Sequence, residues 1–138
     1  MSEPRRTSTP VEVRYAETDQ MGVVHHANYL VWFELARTRL CELSGFHYAE
    51  IEKLGYLLMV VGAELRYRRG ARYGDTVDVA CWIERFGSRG LRFAYEVTRA
   101  GDVLTTGATE HVWVELKTGR PCRTPEPLRE PFARLAGA

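Results

Sequence analysis

Along residues 11 to 15 the apolar side chains Val11, Val13 and Tyr15 alternate with polar ones, the period-two pattern of a half-buried strand. From about Ala27 to Ser44 the period changes. Tyr29, Trp32, Phe33, Ala36, Leu40 and Leu43 recur at steps of three and four, which predicts a helix of about four to five turns stopped by Gly45. Leu30, Val31 and Leu35 widen its apolar face, so other elements are expected to wrap this helix. A shorter helical piece, Tyr48 to Leu54, ends at Gly55.

Everything after Gly55 has the pattern of strands. Leu57 to Arg68 is rich in Val, Leu and Tyr; Val77, Val79, Cys81 and Ile83 alternate with Asp78, Ala80, Trp82 and Glu84. Leu91, Phe93, Tyr95 and Val97 do the same, Ala100-Gly101-Asp102 is a hairpin signal, and Val103 to Leu116 forms the last long strand. Pro121, Pro125, Pro127 and Pro131 predict that residues 119–138 leave the sheet and run irregularly. Residues 1–10 (MSEPRRTSTP) are expected to be a short disordered arm. A strand, a long buried helix and then strands joined by short turns make one α+β domain over 1–138. Its antiparallel sheet curves around the helix. Such a sheet has open edges, which predicts pairing with a second copy, as a homodimer or homotetramer.

Composition narrows the function. Nineteen basic against eighteen acidic residues give a formal net charge of +1, which argues against a general nucleic-acid or membrane-surface binder. No apolar run approaches the ~20 residues of a membrane span, and the N-terminus has no apolar core of a secretion signal, so a cytoplasmic location is expected. Cys41, Cys81 and Cys122 are far apart and form no CxxC pair, so neither a disulfide framework nor a zinc site is indicated. Cys41 and Cys81 are expected as small core residues.

Chemistry concentrates between Tyr15 and Arg37 (YAETDQMGVVHHANYLVWFELAR). Asp19 is explained most simply as a turn or cap residue ahead of the helix. His25 and His26 are adjacent, do not share a face and lack a third ligand at a useful spacing, so a metal is not expected. Glu34 and Arg37 have the i,i+3 spacing of a structural ion pair. These readings account for each residue separately, but not for the combination.

The string Tyr15-x-x-Thr18-Asp19-x-x-Gly22-Val23-Val24-x-His26-x-x-Tyr29, continued by Glu34-x-Ala36-Arg37, resembles the signature of hot-dog-fold acyl-CoA thioesterases. The branch resembled includes 4-hydroxybenzoyl-CoA thioesterase and the enzymes associated with the bacterial Tol–Pal system. Outside that window the likeness rests on the element order and on the Tyr73-Gly74-Asp75 turn. The resemblance implies Asp19 as nucleophile or general base. It places the amide that polarises the thioester carbonyl at about His26, whose side chain is also implied in function, with Gly22 in the site loop. His25 stands where that branch commonly has an aromatic residue. The resemblance implies no cofactor, since the CoA thioester is itself the substrate. A thioester needs only an oxygen nucleophile and help for its carbonyl oxygen, and a helix N-terminus supplies that help.

CoA carries phosphates, and two basic stretches are candidates to meet them: Arg66, Arg68, Arg69 and Arg72, or Arg85, Arg89 and Arg92. Arg89 is the preferred candidate by rough strand alignment with relatives. Tyr29 and Trp32 have core spacing, with Tyr29 retained as a candidate wall of the substrate site. Two other functions compete with hydrolysis. A hot-dog dehydratase or hydratase would move protons on the acyl chain, and a non-catalytic module would bind acyl-CoA without turnover.

Overall fold

A computed structural model describes residues 2–138. The strands are β1 (Thr7–Glu12), β2 (Tyr56–Tyr67), β3 (Thr76–Phe86), β4 (Gly90–Arg99), β5 (Asp102–Glu115) and β6 (Arg120–Cys122). The helices are α1 (Ala27–Glu42), α2 (Tyr48–Lys53) and α3 (Glu126–Leu135). All strand pairs are antiparallel, in the order β1-β3-β4-β5-β2, with β6 added to β5. Register shifts at Val60/Gly62, Ile83/Arg85 and Val97/Thr98 interrupt the ladders, as bulges that bend a sheet do.

The helix α1 lies against this sheet through Tyr29, Trp32, Phe33, Ala36, Leu40 and Cys41, all buried. Phe33 stacks flat on Tyr95 of β4 at 4.1 Å. Its ring edge also crosses β5 where Gly107 has no side chain, and a Cβ there would come within 2.5 Å of Phe33 Cε2. The predicted hairpin is present: Ala100 and Gly101 have φ of 50° and 86°, the two positive values of a type I′ turn between Arg99 and Asp102.

Both chain ends differ from expectation. Met1 lies outside the described residues, but the rest of the predicted arm is ordered. Residues 7–12 pair with β3, Ser2 donates to the Gly137 carbonyl at 3.0 Å and Arg5 to that of Leu135 at 2.8 Å. The Arg6 guanidinium lies 4.0 Å over the Trp82 ring. The predicted irregular tail contains β6 and α3. Pro127 stands in the first turn of α3, where a missing N–H costs nothing. Leu128, Phe132 and Leu135 form a buried stripe that outweighs Pro131 inside the helix. Residues Tyr15–Glu17 form a 3-10 turn rather than the end of a strand. On α1, Leu30, Val31 and Leu35 are exposed, not wrapped. None of the helices among the described residues is long and apolar enough to cross a membrane.

Under α1 runs a buried polar chain. Arg37 donates to the Tyr95 hydroxyl at 3.5 Å; that hydroxyl lies 2.7 Å from Thr109 Oγ1, which lies 2.7 Å from His111 Nε2. The expected Glu34–Arg37 ion pair is not formed among the described residues. His111 is 2% exposed. Burial, reinforced by the Arg37 charge and opposed by the Leu58 carbonyl, pushes its pKa down to about 3. In the unfolded chain the imidazole takes a proton near its ordinary value, so stability is lost as pH falls from about 6.5 toward 3. The full effect is on the order of 5 kcal/mol. Chemical denaturation across that range should give a visibly flatter dependence of stability on pH for His111→Gln than for the parent. Equal slopes would show that His111 is protonated in the fold.

Candidate active site

Residues 18–24 form a tight loop ahead of α1. Thr18 and Val24 make an isolated antiparallel bridge, and Asp19 N–H donates to the Val23 carbonyl at 2.8 Å. Gly22 N–H returns to the Asp19 carbonyl at 3.1 Å, and Gly22 has φ of 79°, a conformation that a side chain disfavours. The loop is fastened to the segment between β2 and β3. Val24 N–H donates to the Ala71 carbonyl at 2.8 Å, and Val23 pairs with Arg72.

The turn role expected for Asp19 is present: its Oδ1 accepts the Met21 N–H at 2.8 Å. Its Oδ2 accepts no hydrogen bond from the described residues, and the side chain is exposed. Asp19 stands between two clefts. One, of about 300 Å³, is lined by Asp19, Val24, His26, Tyr29, Arg68 and Arg69, among others. The other, of about 560 Å³, is lined by Tyr15, Thr18, Asp19, Gln20, Gly22 and Tyr73.

At the start of α1 the main-chain donors are unevenly used. Asn28 N–H donates to the His25 carbonyl and Ala27 N–H to His25 Nδ1 at 3.3 Å, so the His25 ring serves the turn. The His26 N–H has no partner among the described residues. The two imidazoles stack at 4.2 Å, and of the two only His26 lines the cleft with Asp19. Tyr29 is 2% exposed. Its hydroxyl accepts the Ala71 N–H at 3.4 Å and its ring forms the cleft wall beside Tyr67, at 5.6 Å.

Arg89 is not near this group within the chain. It sits in the turn after β3, whereas the Asp19 loop is fastened ahead of that strand, roughly 30 Å away at strand rise. The other basic stretch brings Arg68 and Arg69 to the cleft. No group of three His, Cys, Asp or Glu side chains that could hold a metal occurs among the described residues.

Sequence reasoning missed Glu17. Its carboxylate is 4% exposed and accepts the Trp32 indole N–H at 2.9 Å and the Arg14 N–H at 2.9 Å. Its carbonyl accepts the His25 N–H at 2.8 Å and the Asn28 side-chain amide at 2.9 Å. One residue thus joins the loop, α1 and the helix N-terminus. Burial works to raise the Glu17 carboxyl pKa. The Arg14 amide, the Trp32 indole and the Arg14 side chain outweigh it and hold the pKa below its ordinary value. The available signal was Trp32 itself, since a core tryptophan needs an acceptor for its N–H. Trp32→Phe leaves a buried carboxylate oxygen unpaired and should cost about 1–3 kcal/mol in urea unfolding at neutral pH. Because the Glu17 pKa is lowered in the fold, its stabilisation is lost as pH falls through that lowered value, so the deficit should narrow there. A deficit that does not change with pH would assign the loss to packing alone.

Comparison with known proteins accords with this arrangement. Residues 13–132 match the family described as the thioesterase-like superfamily. The putative acyl-CoA thioesterase YneP of Bacillus subtilis is 41% identical over 112 residues, 80% of this chain and 81% of that protein. A DHNA-CoA thioesterase from Staphylococcus aureus superposes with a TM-score of 0.90 at 33% identity, over 96% of this chain and 91% of that one. A hypothetical protein from Thermus thermophilus does so with a TM-score of 0.88 at 39% identity, over 94% and 97%. The element order, the curved antiparallel sheet on one long helix and these matches agree: the chain is a hot-dog-fold member of the thioesterase-like superfamily.

Proposed function

We propose that this chain hydrolyses an acyl-CoA thioester to a free carboxylic acid and CoA, with the reaction at Asp19 and the first residues of α1. One observation carries the reading. The Oδ2 of Asp19 and the N–H of His26, both without a hydrogen-bond partner among the described residues, belong to residues that line one cleft, at the positive end of α1. The thioester oxygen would take the His26 N–H, which then stabilises the negative charge that develops on it. Asp19 would either attack the carbonyl carbon, giving a mixed anhydride that water hydrolyses, or take the proton of an attacking water. In both routes the carbon–sulfur bond breaks, the thiolate leaves and is protonated, and the acyl group ends as a carboxylate. The His26 imidazole, which lines the same cleft, would orient the water or protonate the leaving sulfur. YneP and the Staphylococcus enzyme, both named as thioesterases, support the reaction class.

The chain works as a homo-oligomer in this reading. Strand β2 pairs only with β5 among the described residues, and Met59, Val60 and Val61 on it are exposed, as are Leu30, Val31 and Leu35 on α1. Light scattering should give two or four times the chain mass; a monomer at working concentration would exclude this. All three cysteines are free thiols, two of them buried, which suits a reducing compartment such as the cytoplasm.

Thiol release from a panel of short, long and aromatic acyl-CoAs tests the reaction. Asp19→Asn should keep the fold and lower turnover roughly a hundredfold or more. Undiminished turnover would leave Asp19 as a turn residue only. Thioester consumption without thiol release would indicate dehydratase or hydratase chemistry, and binding without consumption a carrier module.

A further inference from the structure

The amide proposed to meet the thioester oxygen belongs to the peptide between His25 and His26, and His25 holds that peptide from several sides. Its N–H donates to the Glu17 carbonyl at 2.8 Å, and its carbonyl accepts the Asn28 N–H at 3.0 Å. Its ring adds a third tie, because Nδ1 accepts the Ala27 N–H at 3.3 Å. The His26 N–H is thus flanked in the chain by the His25 N–H, which Glu17 holds, and the Ala27 N–H, which the ring holds.

Only one form of the ring can make the third tie. Nδ1 accepts a hydrogen bond in the neutral tautomer that carries its proton on Nε2. The imidazolium has N–H on both nitrogens, so its Nδ1 would meet the Ala27 N–H donor to donor. The bond is then lost, and a positive charge stands at the positive end of α1, stacked 4.2 Å from the His26 ring. Both histidines are exposed, so protons reach them from solvent. Around the turn, Glu17 has its carboxylate engaged by the Trp32 indole and the Arg14 N–H, while Asp19, Tyr29, Tyr67, Arg68 and Arg69 line the cleft with His26. Among the described residues the Ala27 N–H is the one hydrogen-bond partner of the His25 ring. A carbocyclic ring at this position could stack on His26 but could not accept from Ala27. Histidine adds an acceptor that acid removes.

We infer that His25 is a proton-sensitive positioning residue: its neutral ring fixes the first turn of α1, and protonation loosens the turn that orients the His26 amide. The inference rests on the thioesterase reading for its catalytic consequence, and one of its two readouts needs no turnover. Hydrolysis of one acyl-CoA is followed between about pH 8 and pH 5, where histidines change charge, for the parent, His25→Asn and His25→Phe. Asparagine can accept the Ala27 N–H through its side-chain oxygen and does not titrate; phenylalanine keeps a stacking ring without an acceptor. Amide NMR of Ala27 over the same range accompanies the kinetics.

The ratio of kcat for His25→Asn to that of the parent should rise roughly fivefold or more from pH 8 to pH 5, with little change in relative KM. At pH 8, kcat of His25→Phe should be lowered roughly tenfold, with a flatter acid limb. A ratio that stays constant with pH would overturn the inference, as would a His25→Phe profile that matches the parent's. The Ala27 amide of the parent should shift along the titration curve of the His25 ring, and His25→Asn should lose that component. An Ala27 amide indifferent to the ring overturns the inference whatever the kinetics show. If the parent hydrolyses no acyl-CoA, the hydrolase reading fails, and the Ala27 titration alone decides whether His25 holds the turn.

Discussion

The contact between Phe33 and the floor of the sheet sets the geometry of everything above it. The ring stacks on Tyr95 and projects over the bare Cα of Gly107, so α1 can approach the strands more closely than side chains on both surfaces would allow. Once that distance is fixed, Trp32, Ala36, Leu40 and Cys41 are buried by the same movement. The helix cannot then slide or roll without opening a void along its length. Its N-terminus is therefore a rigid point, and a main-chain N–H held there has a fixed direction. That preorganisation is what makes a helix end useful against a developing negative charge.

The loop that carries Asp19 is irregular, and it would be mobile if its tethers were few. It is instead tied on three sides: to itself through Asp19 and Val23, to the β2–β3 loop through Val24 and Ala71, and to α1 through Glu17. The tie through Glu17 joins side chain and main chain in one residue. Its carboxylate is anchored on Trp32 in the core, and its carbonyl holds the turn where the helix begins. Asp19 likewise uses one oxygen for structure and leaves the other free. Turn residue and reacting group are thus compatible roles, and the simple explanation of an acid before a helix does not compete with the chemical one.

What could be seen in the sequence was what local period encodes. The alternation of Leu91 to Val97 and the three-and-four spacing from Tyr29 to Leu40 correspond to elements whose burial follows the backbone repeat. The chain ends were missed because their order comes from distant partners. Residues 7–12 are a strand because β3 offers them an edge, and 126–135 are helical because Leu128, Phe132 and Leu135 find the core. Prolines in that tail argued for irregular chain only when counted without their positions. Glu17 and Trp32 are fifteen residues apart, a distance that no local pattern links. Arg68 and Arg69 line the cleft with Asp19 and Arg89 does not, a difference that strand order alone does not give.

Charge shows the same limit in another form. The near-neutral total conceals two arrangements of one residue type. On β4, Arg92 is surrounded by Glu64, Glu84 and Glu110, and the group compensates itself across four strands. Those hydrogen bonds raise its pKa further above the ordinary arginine value, since each stabilises the charged form. Beside Asp19, Arg68 and Arg69 have almost no such partners. Pairing consumes a field and isolation projects it, so arginines with equal formal charge do different things. The positive end of α1 and the unpaired guanidinia border the same cleft, and Asp19 is the acid among its lining residues.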